Sequence, residues 1–189
     1  MRGKAAVLAA LALLWLLGCK EPDPFQPLLL NEDFGLGTPL GSPYSDVEGK
    51  IEQSLGKRVA ENNHSTDPRY YDFRDIYNLY RFIIGDINQD RRVDTLVLAI
   101  NSQLNLEQHA REFTKSFPNV RTMVGVTLGT EVTEVIKVYQ FGEYNLKSMA
   151  VESRNRRLTF RPRGQVVAGM RLTDEFSSQM PVSLLEQPD

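Results

Sequence analysis

The sequence predicts an α+β fold in which an antiparallel β-meander carries one or two packed helices. Three observations support this class: two stretches with the apolar spacing of an amphipathic helix, a pair of apolar strands around an acidic loop, and a C-terminal half of short β-rich runs separated by turn residues. About 130 residues are enough to build one hydrophobic core. Residues 45–172 are therefore predicted to form a single globular domain.

Two helices are predicted on this sheet. Ser45 is the predicted N-cap of the first, and Glu48, three residues later, completes a capping box. The apolar stripe of this helix repeats every four residues, at Val47, Ile51, Leu55 and Val59. The second helix is predicted over residues 104–117 and ends at Pro118.

The predicted strands fall in two groups. Residues 81–84 and 95–100 are apolar and enclose the acidic loop. The β-rich runs that follow are residues 120–128, 132–141, 146–152, 158–161 and 165–172. Turn residues separate these runs, which favours hairpin connections.

The N-terminus has the pattern of a secretory signal peptide. Arg2 and Lys4 precede an apolar run over residues 5–17, which is too short to span a bilayer as a helix. The run ends in Leu16-Leu17-Gly18-Cys19, which resembles the lipobox of bacterial lipoproteins, although Leu17 replaces the usual Ala or Ser. Residues 1–18 are thus predicted to be a lipoprotein signal peptide.

The lipobox resemblance implies that Cys19 is acylated and anchors the chain in a membrane. Because Lys20, and not Asp, follows the cysteine, the resemblance favours the outer membrane. In the alternative, the segment is an ordinary signal peptide and Cys19 is incidental. Cys19 is the only cysteine of the chain, so no disulfide is expected.

Two segments outside the domain are predicted to lack regular structure. Proline and glycine are frequent over residues 19–44, which predicts a tether, with docking of its three leucines 28–30 as an alternative. Residues 173–189 are predicted to be a polar tail. Removal of Arg2 and Lys4 with the signal leaves 20 basic and 24 acidic residues, a net charge of −4. This charge gives no general attraction to nucleic acid.

The acidic loop GDINQDRRVD has the ligand spacing of a calcium site. Calcium prefers six to eight oxygen ligands, and a tight loop supplies them from alternate positions. The predicted ligands are Asp86, Asn88, Asp90, the backbone carbonyl of Arg92, and Asp94. An EF-hand is excluded because its twelfth position would be Val97, not an acid.

The loop instead resembles the calcium loop of FG-GAP-type repeats, which joins two strands and needs no twelfth-position acid. The resemblance covers residues 85–100 and implies a structural calcium ion. Arg91 departs from it, because that family has Gly there to reach a positive φ angle. In the alternative, the loop is a metal-free turn in which Arg91 and Arg92 pair with the aspartates.

A cluster of basic residues is the second candidate site. Residues 146–171 carry seven cations and only Glu152 as an acid, a local charge of +6. These cations are Lys147, Arg154, Arg156, Arg157, Arg161, Arg163 and Arg171. They are either a solvated surface or a patch for an anionic partner such as a lipid headgroup, an acidic polysaccharide or an acidic protein.

Two functions are compatible with these observations. The first is a membrane-anchored extracytoplasmic lipoprotein that binds or scaffolds another component of the bacterial cell envelope, in the periplasm or beyond it. The alternative is an extracytoplasmic hydrolase of glycan or peptide with an unrecognised Asp/Glu pair. No nucleophile motif is present, and His109 with Glu112 lacks a third metal ligand at a recognisable spacing.

Overall fold

The predicted α+β class is confirmed by a computed structural model, which describes residues 23–55, 59–60, 69–75, 77–101 and 105–174. Its sheet has seven strands and only antiparallel neighbours. The strands are β1 (Val59–Ala60), β2 (Tyr70–Asp75), β3 (Tyr80–Gly85), β4 (Thr95–Ile100), β5 (Ala150–Ser153), β6 (Arg156–Arg163) and β7 (Val166–Asp174).

The sheet consists of two meanders joined side by side. Its strand order is β1-β2-β3-β4-β7-β6-β5, so the chain leaves the sheet after β4 and returns at the far edge as β5. Strand β7 then pairs with β4 over five residue pairs, from Thr95 with Thr173 to Ala99 with Gly169. The single continuous meander expected from the sequence is therefore split by a helical excursion.

Five α-helices and one 3₁₀ turn are present in the described residues. The helices are α1 (Gln26–Asn31), α2 (Val47–Leu55), α3 (Leu106–Ser116), α4 (Val132–Val138) and α5 (Glu143–Ser148). The 3₁₀ turn, Tyr44–Asp46, precedes α2 directly. No helix in these residues is both long and apolar enough to span a membrane.

The two predicted helices are present, with one change at a terminus. Helix α3 matches the prediction and buries Ala110, Phe113 and, just beyond its end, Phe117. In α2 the stripe Val47, Ile51 and Leu55 is buried as predicted. Ser45 lies inside the 3₁₀ turn and its hydroxyl bonds to the Asp46 carboxylate, so it does not cap α2 as expected. The side chains of Glu48 and Val59 lie outside the described set.

Two of the predicted β-rich runs are wrong. Residues 120–128 form turns without strand pairing, and residues 132–138 form helix α4. The β-branched composition of α4 favours a strand, but Val135 and Tyr139 stand four residues apart and both are buried. Packing of this one face on the core overrides the weaker β propensity. Residues 146–148 likewise end helix α5, so strand β5 starts only at Ala150.

The hydrophobic core lies on one face of the sheet, beneath the helices. Strands β3 and β4 contribute Phe82, Ile84, Leu96 and Leu98 to this core. The Phe113 ring of α3 meets the Tyr80 ring edge-on at 5.0 Å between centroids. Aromatic contacts of this geometry add to the free energy gained by burial.

The opposite face of the sheet carries a different set of side chains. Tyr70, Ile83, Val97 and Ala99 form a second, smaller apolar cluster there. Beside it, the buried Asp72 carboxylate pairs with Arg81 at 2.8 Å and with Arg74 at 3.1 Å. The helix side chains Leu29, Phe113 and Val135 belong to the first cluster, so these helices pack on the other face of the sheet. The apolar side chains of this second face are buried as well, at 0–9% exposure.

The predicted tether is wrong for its described part, because residues from α1 onward belong to the core. Leu29, Phe34, Leu36 and Leu40 are each at most 5% exposed. The sequence did not predict this docking because prolines and glycines separate the apolar residues, so that no regular hydrophobic spacing is visible. Of the leucines 28–30, Leu29 docks as the alternative expected, whereas Leu30 is 42% exposed.

Two polar side chains fasten this N-terminal segment to the domain. The Glu32 carboxylate accepts hydrogen bonds from the backbone N–H groups of Phe34 and Met123, both at 2.9 Å. Arg156 donates to the carbonyls of Leu29, Leu30 and Leu40, and so satisfies acceptors at the C-terminus of α1. The domain therefore starts near residue 25, about 20 residues earlier than predicted.

The C-terminal boundary also shifts slightly. Strand β7 extends to Asp174, whose N–H donates to the Asp94 carbonyl at 3.0 Å. The first two residues of the predicted polar tail, 173 and 174, are thus part of the sheet. Residues 175–189 lie outside the described residues.

Leu29→Ala tests the docking of α1. Removing a buried leucine side chain should lower the free energy of unfolding by about 2–4 kcal/mol. The adjacent Leu30→Ala, at a 42% exposed position of the same helix, should change it by less than about 0.5 kcal/mol. Urea denaturation of both variants measures the difference, and equal small effects would mean that α1 is not docked.

Candidate functional site

The predicted calcium loop is the β3–β4 connection, residues 86–94. Strands β3 and β4 pair from Tyr80 with Ile100 up to Gly85 with Thr95, which brings both ends of the loop together. Within the loop, Gln89 and Arg91 have positive φ angles of 58° and 65°. Arg91 thus adopts the left-handed conformation that glycine provides in FG-GAP-type loops.

The loop carboxylates accept hydrogen bonds from the loop's own backbone. Asp86 accepts from the N–H groups of Asp90 at 3.0 Å and Arg91 at 2.9 Å. Asp94 accepts from the Asn88 N–H at 2.8 Å. These bonds explain why short acidic side chains recur at this spacing even without a metal, because each one organises a turn.

The arginines of the loop do not play the part expected in the metal-free alternative. The Arg92 guanidinium donates to the Gly41 carbonyl at 2.7 Å. Among the described residues, neither Arg91 nor Arg92 forms an ion pair with Asp86, Asp90 or Asp94. The pairing of these arginines with the aspartates is therefore wrong, and the backbone N–H groups take that role.

The N-terminal segment closes the other side of the loop. The N–H of Gly41 donates to the Val93 carbonyl at 2.7 Å, and the N–H of Val93 donates to the Ser42 carbonyl at 2.9 Å. The N–H of Tyr44 donates to the Arg91 carbonyl at 2.8 Å, next to a β-bridge between Pro43 and Arg92. These backbone bonds hold the loop from outside the hairpin.

The predicted calcium ligands differ in their exposure to solvent. Both are buried, whereas Asn88 and Asp90 are exposed. Burial raises the pKa of Asp94, and the negative charge of Asp86 raises it further. Within the described residues, no three His, Cys, Asp or Glu side chains are arranged to hold a metal ion. Calcium binding therefore stays a prediction.

The structure disperses the predicted basic patch over several parts of the domain. Arg156 points to the core face, where it fastens α1 and lies 3.6 Å from the Asp174 carboxylate. Lys147 belongs to α5, 3.7 Å from Glu143, and Arg154 occupies the β5–β6 turn at a φ of 50°. Arg163 is exposed at the end of β6. Arg157 and Arg161 alternate along β6 with the core-facing Leu158 and Phe160 and stand on the opposite face of the sheet.

Arg171 stands on the same sheet face, on strand β7. It pairs with Val97 on β4 and with Thr159 on β6 in the registers of the sheet. Its Nε is sealed from solvent and has no hydrogen-bond partner in the described part of the chain. Burial lowers the pKa of the Arg171 guanidinium; the nearby Tyr70 raises it, and the charge of Arg157 lowers it.

A groove beside α3 is the place where a carboxylate pair could act. It has a volume of about 440 Å³ and is lined by Asp75 and Glu112 among others. Asp75 accepts backbone N–H groups from Tyr77, Leu79 and Tyr80, at 3.2, 2.6 and 2.8 Å. The Asp75 carboxylate therefore holds the β2–β3 turn through three of its roughly four acceptor positions.

Other sequence candidates contribute little to a site. His109 Nδ1 lies 3.7 Å from the Glu112 carboxylate, and the His109 carbonyl accepts from the Tyr80 hydroxyl at 3.0 Å. Burial raises the pKa of Tyr80 to about 12, with further contributions from Glu112 and Asp75. Cys19 and the lipobox-like segment lie outside the described residues.

No protein-family model matches this chain, and neither the curated proteins nor the solved structures contain a significant match.

The polar side chains on the sheet face opposite the helices were not expected from the sequence. Asp72 and Arg74 lie on β2, and Arg81 lies on β3. Their alternation with the core residues Phe73 and Phe82 was the sequence signal that could have placed them on the opposite face of the sheet. Glu32 was overlooked as well, because its backbone partners depend on the fold. Five of the six arginines in the predicted basic cluster lie on strands β6 and β7.

Arg91→Gly and Arg92→Gly form a matched pair of tests for the loop conformation. Each removes one arginine, but only position 91 requires a positive φ. Arg91→Gly should raise the free energy of unfolding by about 0.5–1 kcal/mol, because glycine adopts this conformation without strain. Arg92→Gly should lower it, since glycine adds backbone entropy and the bond to the Gly41 carbonyl is lost. Equilibrium unfolding in urea measures both, and a stability loss in Arg91→Gly would contradict the left-handed conformation.

Proposed function

We propose that this protein is a lipid-anchored module of the bacterial cell envelope that binds or scaffolds another component, rather than an enzyme. The observation that supports the proposal most directly is the docking of α1 close behind the predicted acylation site. Residues 20–22 alone separate Cys19 from Asp23, the first described residue. The domain begins almost at once after these residues.

The short connection restricts where the domain can be. An extended chain spans at most about 3.6 Å per residue, so Asp23 lies within about 14 Å of an anchored Cys19. This reach is far shorter than the 26-residue tether predicted at residues 19–44 would have allowed. An acylated chain of this design holds its domain at the bilayer surface, which suits a protein that binds or scaffolds a partner there.

The anchor itself would be stable. Each buried methylene of an acyl chain contributes about 0.8 kcal/mol, and two chains give lasting attachment where one is marginal. Lys20 after the cysteine favours the outer membrane within this proposal. The hydrolase alternative gains no comparable support, because Asp75 in the groove beside α3 is committed to backbone hydrogen bonds.

Cys19→Ser tests the anchor. In the unmodified protein, mass spectrometry should find a mature chain that starts at Cys19 with a diacylglyceryl group, and the protein should fractionate with outer membranes. Cys19→Ser should abolish both acylation and membrane fractionation, because serine lacks the thiol. Ser42→Ala, at a hydroxyl remote from the signal, is the control and should fractionate normally. An unmodified chain in the soluble fraction would contradict the proposal.

We also propose a structural calcium ion in the loop at residues 86–94. Asp86 and Asp94 lie close enough for the charge of one to raise the pKa of the other, and a cation between them would relieve this repulsion. Arg91 already has the positive φ that the calcium loop of FG-GAP-type repeats requires. The ion would stiffen the hairpin and take no part in chemistry.

Thermal unfolding with EGTA and with about 1 mM calcium tests this ion. For a dissociation constant of about 100 μM, calcium should stabilise the fold by about 1.4 kcal/mol, or roughly 3–6 °C. Asp90→Ala should remove the shift, whereas Asp33→Ala, in the N-terminal segment, should keep it. The absence of a shift up to about 10 mM calcium would leave an acidic turn without metal.

A further inference from the structure

Exposed apolar side chains are concentrated around helix α1. Among the described residues, five large apolar side chains are exposed to solvent, at 42–74%. Four of them lie on α1 or on segments next to it, namely Leu30, Met123, Tyr144 and Leu146. The fifth, Tyr77, lies in the β2–β3 turn. Single exposed apolar residues are normal on a protein surface, whereas several in one region indicate an interaction site.

Two of these side chains lie at the C-terminal end of α1. Leu30 belongs to the last turn of the helix, and its carbonyl accepts a hydrogen bond from Arg156. The N–H of Met123 donates to the carboxylate of Glu32, the residue directly after the helix, at 2.9 Å. Leu30 and Met123 therefore belong to neighbouring segments that both reach solvent.

Aromatic contacts connect the N-terminal end of α1 to the other two side chains. The centroid of the Phe25 ring lies 6.0 Å from that of Tyr139, which lies 6.1 Å from that of Phe141. Helix α5 starts two residues after Phe141, and none of its side chains is buried. Tyr144 and Leu146 on α5 are therefore accessible to a partner beside the start of α1.

The short stretch of chain before α1 indicates which partner this is. Residues 20–22 alone separate Cys19 from Asp23, and the Asp23 carboxylate accepts from the Phe25 N–H at 2.9 Å. An anchored Cys19 holds Asp23 within about 14 Å, and α1 adds only about 9 Å of length. The anchor thus brings the exposed side chains around α1 to the bilayer.

The chemistry of these side chains suits the interfacial layer of a bilayer. Tyrosine is enriched there because its ring is apolar and its hydroxyl stays hydrated. Apolar side chains such as leucine and methionine enter the boundary between headgroups and acyl chains, about 5–10 Å deep. Four such contacts are enough because a lipid anchor gives the domain a high effective concentration at the membrane.

We propose that Leu30, Met123, Tyr144 and Leu146 form a membrane-contacting surface, the α1 surface, that seats the domain on the lipid bilayer. The proposal rests on the proposed anchor at Cys19 and assigns the orientation that an anchor alone leaves free. The acyl chains hold the protein, and the α1 surface determines which side of the domain faces the lipid. The acidic loop and the groove beside α3 are not part of this surface.

Tryptophan reporters test this orientation. Trp15, in the predicted signal peptide, is the only tryptophan of the chain, so the predicted mature chain has none. Tyr144→Trp and Met123→Trp each place one reporter in the α1 surface. Tyr77→Trp is the matched control, because Tyr77 is similarly exposed and strands β4 and β7 separate its hairpin from β6. Each mature chain is coupled through the Cys19 thiol to a maleimide phospholipid in phosphatidylcholine vesicles.

Both reporters in the α1 surface should emit at shorter wavelength on the vesicles than in solution. Phospholipids brominated on their acyl chains should quench them at least about twofold more than Tyr77→Trp, because this quencher acts only on groups that enter the bilayer boundary. If either reporter is quenched no more than Tyr77→Trp, the α1 surface is overturned, and these side chains are left to a protein partner.

Leu30→Ser together with Leu146→Ser separates a seated domain from one that is only tethered. Both positions are exposed, so the fold should be unaffected. In the Tyr144→Trp chain this pair should lower the quenching at least about twofold, because two apolar contacts with the bilayer are lost. Tyr77→Ser in the same chain should leave it unchanged. Equal quenching with and without the two serines would overturn the surface.

The anchor and the α1 surface fail independently in these measurements. Coupling through a maleimide lipid replaces biological acylation, so the vesicle experiments report on the surface whether or not cells acylate Cys19. An unacylated Cys19 in cells would contradict the anchor alone. Unquenched reporters on coupled protein would contradict the surface alone.

Discussion

The pairing of β4 with β7 is the contact on which the rest of the structure depends. It joins the two meanders into one sheet through strands that are separated by about 65 residues of chain, and closing such a loop costs entropy before the contacts form. On the core side the pairing aligns Leu96 with Leu172 and Leu98 with Met170, all buried. On the other side it sets Arg171 against Val97. The composition of the core and the position of Arg171 on the opposite face thus follow from the same register.

The alternation of side chains between the two faces of an element also explains which parts of the fold the sequence alone predicts. The strands around the acidic loop and helix α3 follow from local periodicity, because each one buries one face of a regular pattern. Helix α4 does not, since its β-branched residues favour a strand until Val135 and Tyr139 find the core. The docking of residues 26–40 is equally hidden, because its polar fastening by Glu32 and Arg156 joins positions more than 90 residues apart.

The two candidate sites also differ in how well the sequence alone predicts them. The acidic loop was visible because its predicted ligands lie within nine residues, and the structure adds that Arg91 has a left-handed conformation. The basic cluster was visible only as composition. Strand alternation sends Arg156 to the core face and Arg157 to the opposite one, although they are neighbours in sequence. A count of charges along the chain cannot separate an arginine that fastens a helix from one on the opposite sheet face, whereas the strand register does so directly.

The proposed anchor and Arg171 lie on opposite sides of the sheet. The anchor would leave from α1, which lies over β6 on the core side, where Arg156 holds it. Arg171 stands on the other side of the same sheet. A bilayer that receives the acyl chains would therefore lie on the helix side of the molecule and leave the opposite side directed away from the membrane, as a scaffold for a partner requires.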